Sequence, residues 1–96
     1  MKIRILPSGM ADLERGRDFY EAQGQELGQY FMDSLFSDID SLALYGGFHS
    51  VHWGYHRMLS KRFPFAVYYR MNGDVVEVRR VLDCRQHPAK IKRALK

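Results

Sequence analysis

The chain has 96 residues, 46% of them hydrophobic and 27% charged, with a formal net charge of +4. That length suits one hydrophobic core and is too short for two, so a single domain over residues 1 to 96 is expected. No apolar run approaches the roughly 18 residues that span a membrane, "MKIRILPSGM" lacks the apolar core of a signal peptide, and the one cysteine, Cys84, has no internal partner; a cytoplasmic chain is expected.

"KIRIL" alternates, with Ile3 and Ile5 on one face and Lys2 and Arg4 on the other, and predicts a short first strand ended by Pro7-Ser8-Gly9. "MADLERGRDFYEAQG" follows as a helix with Met10, Leu13 and Tyr20 near one side, Asp12 and Glu14 in its first turn, and Gly24 as its stop. Leu27, Phe31, Leu35, Ile39 and Leu42 recur at spacings of four, four, four and three, which predicts one long helix over residues 27 to 45 closed by Gly46-Gly47. Asp33, Asp38 and Asp40 are expected on its outer side.

"SVHWGYHRMLS" reads as a strand region interrupted by Gly54. Its three histidines, His49, His52 and His56, sit across a glycine in extended chain, a spacing that does not gather imidazoles around a metal, and no metal site is expected. From Phe63 to Met71 the chain alternates, with Phe65, Val67, Tyr69 and Met71 facing one way and Ala66, Tyr68 and Arg70 the other. Asn72-Gly73 predicts a two-residue type I′ turn, after which Asp74 to Leu82 forms a Val-rich strand. "HPAKIKRALK" places Pro88 at a first helical position and predicts a short basic tail or helix. The order argues α+β, a helical hairpin on one face of a largely antiparallel, four-stranded sheet.

Charge divides along the chain. Residues 1 to 54 carry four Lys/Arg against eight Asp/Glu, a net −4; residues 55 to 96 carry eleven against three, a net +8. The second half therefore suits an acidic partner, nucleic acid or protein. The serines lack a G-x-S-x-G context, Cys84 has His87 three residues away with no third group to orient it, and Gly46-Gly47 follows a helix instead of opening one, so neither a nucleophile nor a phosphate loop is read and no cofactor is expected. Arginine and aromatic residues remain. Arg57, Arg62, Arg70, Arg79, Arg80 and Arg85 interleave with Tyr55, Tyr68 and Tyr69, a pattern that can hold phosphate and stack bases, or else can line a solvated edge around a core.

Arg80 falls in strand phase with Val76, Val78 and Leu82, an otherwise apolar face. A buried guanidinium needs a partner, so Arg80 is expected to meet a carboxylate of the long helix (Asp33, Asp38 or Asp40), to meet an acidic residue of another protein, or to lie where the sheet leaves its helix cover.

"RDFYEAQGQELGQYFMDSLFSDIDSLALYG" followed by "YHRMLSKRFPFAVYYRMNGDVVEVRRVLDCRQHP" resembles the RelE/ParE superfamily of toxins of bacterial toxin-antitoxin pairs, in the plasmid stabilisation branch, over residues 2 to 88. The resemblance implies a β-α-α-β-β-β fold and a cognate antitoxin that wraps the toxin. It implies one of two activities: RelE-like members cut messenger RNA in the ribosome, and ParE-like members inhibit DNA gyrase. Carried across, the RelE catalytic set meets Phe65 and Ile91 where it needs an arginine and a tyrosine, and its lysines align loosely with His56 and Met58; only Arg85 matches. A different nuclease set remains conceivable from Arg57, Arg62, Arg85 and His87, the last as acid or base. The reading preferred here is a ParE-like toxin that acts by protein contacts, with Arg79, Arg80, Arg85, Lys90 and Arg93 as the residues that meet the target or the antitoxin.

Overall fold

A computed structural model describes all 96 residues. The elements are β1 (Lys2–Ile5), α1 (Pro7–Glu21), α2 (Leu27–Asp40), α3 (Leu42–Tyr45), β2 (Val51–His52), β3 (Tyr55–Leu59), β4 (Phe65–Asn72), β5 (Val75–Asp83) and α4 (Pro88–Ala94). They form an α+β domain around one sheet ordered β1-β5-β4-β3-β2, with β1 parallel to β5 and every other pair antiparallel. The sheet has five strands where the sequence predicts four, because Trp53 and Gly54 divide the expected strand region into β2 and β3.

Both hairpin turns are set by positive φ angles, in places that differ from the sequence reading. Trp53 (φ 52°) and Gly54 (φ 84°) form the two-residue loop between His52 and Tyr55, the two positive angles that a type I′ turn requires. At the second hairpin Asn72 pairs with Val75, so the loop is Gly73-Asp74, and only Gly73 has positive φ. Glycine at the first central position fits a type II′ turn, not the type I′ turn expected at Asn72-Gly73.

Pro7, Ser8 and Gly9 end β1 but also open α1, with Pro7 where a missing N–H costs nothing. This earlier start puts Asp12 in the second turn of α1. The predicted 27–45 helix breaks at Ser41, leaving the four-residue α3. The left-handed Glu26 (φ 67°) starts α2, and Glu21 of α1 caps it by accepting from the Glu26 and Gly28 N–H groups at 3.2 and 2.9 Å.

Two cores flank the sheet. On one face α1 and α2 bury Leu13, Phe31, Leu35 and Ile39 against Phe65, Val67, Tyr69, Val76, Val78 and Val81. On the other, Ile91 and Leu95 of the C-terminal segment cover Tyr55, Ala66, Tyr68 and Leu82. The basic tail is thus a helix that completes a second apolar layer, and β4 is buried on both faces from Phe65 to Tyr69. The alternation expected of β4 holds. Asp38, expected outside, is buried: its Oδ2 accepts from Ser60 Oγ at 2.7 Å and from the Lys61 N–H at 3.3 Å, tying α2 to the β3–β4 connection.

Candidate functional site

β1 pairs only with Val75 to Val78, so beyond Val78 the outer edge of β5 has no strand beside it. α1 seals that edge. The Leu6 N–H donates to the Val78 carbonyl at 2.9 Å, Ser8 Oγ donates to the Arg79 carbonyl at 2.6 Å, and the Val81 N–H donates to Asp12 Oδ2 at 2.9 Å. A side-chain carboxylate takes the place of the missing strand, so the buried backbone donor is satisfied.

The same carboxylate holds Arg80. Arg80 Nε reaches Asp12 Oδ2 at 2.7 Å, Nη2 reaches Oδ1 at 3.0 Å, and Nη1 donates to the Ala94 carbonyl of α4 at 3.0 Å. Arg15 also donates to Asp12 Oδ1. The bidentate bond to Asp12 raises the Arg80 pKa above its ordinary value, against the opposing effect of burial. Arg80 joins α1, β5 and α4.

Arg80 lies on the α4 side of the sheet because of a β-bulge. Tyr68 is opposite Arg80 while Tyr69 is opposite Val78, so Arg79 is an extra residue with no partner in β4. The bulge breaks the expected phase. Val76, Val78 and Val81 face the helical hairpin, and Leu82 joins the second core, so the single apolar face of Val76, Val78, Arg80 and Leu82 does not exist. Nor does Arg80 meet Asp33, Asp38 or Asp40; Asp33 is bonded to Gln29 instead.

The structure distributes the other proposed binding residues around this junction. Arg79 Nη2 donates to the Lys96 carbonyl at 3.3 Å, and its Nε is buried without a partner. Arg85 folds back on Asp83, with Nε 3.0 Å from Oδ1 and Nη2 2.7 Å from Oδ2; this pairing holds the Asp83 carboxyl below its usual range and raises Arg85. Lys90 and Arg93 are exposed on α4. A groove of about 450 Å³ lies between α1 and the β5–α4 turn, lined by Arg15, Phe19, Arg80, Asp83, Gln86 and Lys90 among others.

No hydrogen bond links Arg57, Arg62, Arg85 and His87 to one another. His87 Nδ1 accepts from the Ala89 N–H at 3.1 Å and caps α4. Arg62 is exposed in the β3–β4 connection. Arg57 lies beside Tyr68, whose phenol burial pushes up against the opposing pull of that guanidinium, and Arg57 Nη2 is 3.9 Å from Cys84 Sγ. Of the three histidines of the β2–β3 region, His49 and His56 both lie against Tyr69 and His56 also bonds the His49 carbonyl, while His52 contacts Ser50.

Sequence reasoning missed Asp12 as the organising residue. A signal existed: Gly9, Asp12, Leu13 and Gly16 recur at helical spacing, and all four are buried on the inner face of α1. Two small residues flanking an acid on that face mark a close approach to something with donors to satisfy.

No family model matches the chain, and no curated protein matches it. Among solved structures it is similar to one described as the chromosomal ParDE TA system from P. aeruginosa, with 20% sequence identity, a TM-score of 0.76, and coverage of 84% of this chain and 92% of that one. The two chains share a fold. No helix of this chain is long and apolar enough to cross a membrane.

Proposed function

We propose that the chain is the toxin of a type II toxin-antitoxin pair of the ParE-like kind, arresting growth by binding a protein target, DNA gyrase, and neutralised by a cognate antitoxin. One observation carries the reading: the fold agrees along 84% of the chain with a chain of a ParDE system. The arrangement of the basic residues supports a binding role over a catalytic one. Arg80 holds the fold together, Arg85 is paired with Asp83, and the His87 nitrogen that could take a proton caps a helix. What remains outward is the groove rim of Arg15, Phe19 and Lys90 with Arg93 on α4, a basic and aromatic surface suited to an acidic protein face.

The alternative, ribosome-dependent cleavage of messenger RNA, is favoured by one feature. Arg57 Nε is buried without a partner, and the same guanidinium lies beside Cys84, next to the turn that carries Arg85 and His87. The two readings separate in one experiment. The chain is induced in bacteria, and the purified protein is added to gyrase supercoiling and to ribosome-dependent cleavage reactions. Inhibited supercoiling with intact transcripts, relieved by Lys90→Glu with Arg93→Glu, is the expected result. Codon-linked cleavage abolished by Arg57→Ala or His87→Ala would replace it with the nuclease reading.

A further inference from the structure

His49, His56 and Tyr69 together hold down the segment between α3 and β2. Tyr69 of β4 is fully buried in the first core, yet its hydroxyl accepts from the Gly47 N–H at 3.0 Å and lies 2.6 Å from His49 Nδ1. The His56 ring stacks on the same phenol, with centroids 5.0 Å apart and an interplanar angle of 23°, and its Nδ1 donates to the His49 carbonyl at 2.6 Å. Little else secures the segment. None of residues 46 to 54 is buried, and β2 pairs only Val51 with His56 and His52 with Tyr55, extended by the Arg57 N–H, which donates to the Ser50 carbonyl at 2.9 Å. Gly46 and Gly47, the latter with φ of 88°, form a hinge at one end. At the other, Arg70 Nε fixes the Gly54 carbonyl at 3.1 Å.

The protons of this latch balance in one charge state only. A carbonyl can only accept, so His56 Nδ1 carries a proton whether that ring is neutral or charged, and its bond to His49 is indifferent to pH. The Tyr69 oxygen already accepts from Gly47, and its own O–H has an acceptor in His49 Nδ1 when that nitrogen is bare. A proton on Nδ1 turns the acceptor into a donor. The buried Tyr69 O–H then has no acceptor, and an imidazolium stands beside His56. The other charged and titratable groups around His49 do not offset this: they are Tyr45 of α3, Asp38 of α2, Arg57 of β3 and Lys61 after it. The one carboxylate among them is engaged by Ser60 and the Lys61 N–H, and His52 of β2 is bonded to Ser50 instead.

We propose that residues 46 to 52 form an acid-released strap: His49 takes a proton from solvent, its bond to Tyr69 breaks, and the segment swings away on Gly46-Gly47 while the helical hairpin and the other strands stay in place. The closed strap holds the His49 pKa below 6.5, first through burial and then through His56. A base whose pKa is lowered in the closed state stabilises that state fully above pH 6.5, and the stabilisation is lost as pH falls through the lowered value. Opening uncovers Tyr69 and detaches β2 without removing any buried side chain of the strap itself, so it can occur short of global unfolding. The strap is a property of the chain alone, independent of any target, and is measured on the purified full chain.

Amide exchange, corrected for the intrinsic rate at each pH, reads the strap at the Gly47 and Arg57 N–H groups and the remaining fold at the Val81 N–H. The expected result is a loss of protection of about tenfold or more at Gly47 and Arg57 between about pH 7.5 and about pH 5, with Val81 changing less than about threefold. Imaging of the ring nitrogens by their NMR shifts is expected to show a bare Nδ1 on His49 at about pH 7.5. His49→Gln should abolish the pH response of Gly47, His56→Gln should retain it, and Tyr69→Phe should leave Gly47 poorly protected at both pH values. The strap is overturned by equal protection of Gly47 in the parent at both pH values, by a loss that reaches Val81 equally, or by a pH response that survives His49→Gln. A protonated His49 Nδ1 in the closed state at about pH 7.5 overturns it without any variant.

Discussion

Asp12→Ala is expected to be among the most damaging single substitutions in this chain, although it removes only a small side chain. The Asp12 carboxylate accepts from Arg80 twice, from the Val81 N–H and from Arg15, and the Asp12 side chain is 4% exposed. Breaking a buried ion pair by deleting one partner costs about 3–5 kcal/mol. Arg80 is 22% exposed and keeps the Ala94 carbonyl, so the lower end applies, about 3 kcal/mol. The orphaned Val81 N–H adds about 1 kcal/mol. A total of about 4 kcal/mol corresponds to a fall on the order of 20 °C in Tm for a domain of this size. Arg80→Met is expected to cost less, about 1 kcal/mol, because Asp12 keeps the Val81 N–H and the exposed Arg15 while the methionine fills the space. The double variant should then be more stable than the sum of the singles by about 2 kcal/mol. Urea unfolding followed by circular dichroism measures all three. If Asp12→Ala stays within about 1 kcal/mol of the parent, or if the pair is additive, the carboxylate does not organise the junction and the reasoning fails.

Other substitutions probe the remaining layers. Gly16→Ala should destabilise by about 1–3 kcal/mol despite alanine's better helix propensity, because the new Cβ would come within 2.6 Å of Phe31 Cε2 and that ring is fully buried; a stabilised variant would show that α1 and α2 have room to separate. Ile91→Ala should cost about 2–3 kcal/mol and raise hydrogen exchange through α4 before it does so in α2, since Ile91 packs only in the second core; simultaneous loss of protection in both helices would contradict two separate layers. His49 has its pKa lowered below 6.5, first by burial and then by His56, so the fold favours its neutral form. Its contribution is present above pH 6.5 and is lost as pH falls through the lowered value. His49→Gln should therefore lose less stability than the parent between about pH 7.5 and about pH 5, and an identical loss in both would exclude His49 as the titrating group.

The parts of the fold governed by local periodicity were legible. Phe31, Leu35, Ile39 and Leu42 keep one face because a four-residue spacing leaves a helix no choice about which side is apolar, and β4 alternates as its residues predict. What was not legible depends on where chains end beside one another. Nothing in "KIRIL" says that β1 stops pairing at Val78, so nothing announces that α1 must supply a carboxylate to the bare edge of β5. The second core was hidden for a related reason: Ile91 and Leu95 look like a fraying tail until Tyr55, Ala66 and Tyr68 are seen to need a cover. At the turns, Asn-Gly attracted the type I′ reading by composition, whereas the strand pairing placed Asn72 inside the ladder and moved the loop by one residue. Trp53, with φ of 52°, offered no compositional hint at all.

The arginine pair in β5 draws these points together. Read as a regular strand, Arg79-Arg80 puts a charge into an apolar face and calls for a carboxylate of the long helix, an acidic residue of another protein, or an end of the helix cover. The bulge at Arg79 removes the demand by turning Arg80 to the other side, where the α4 end and Asp12 receive it. One extra residue thus lets Val78 and Val81 both face the helical hairpin while the guanidinium between them is held elsewhere. The consequence for function is that the basic excess of the second half overstates what is offered to a partner. Arg80 and Arg85 are occupied by carboxylates of the chain itself, and Arg79 reaches its own C-terminal backbone. Among the cations that no carboxylate of the chain holds, Lys90 and Arg93 stand exposed on α4 and Lys61 and Arg62 in the β3–β4 connection.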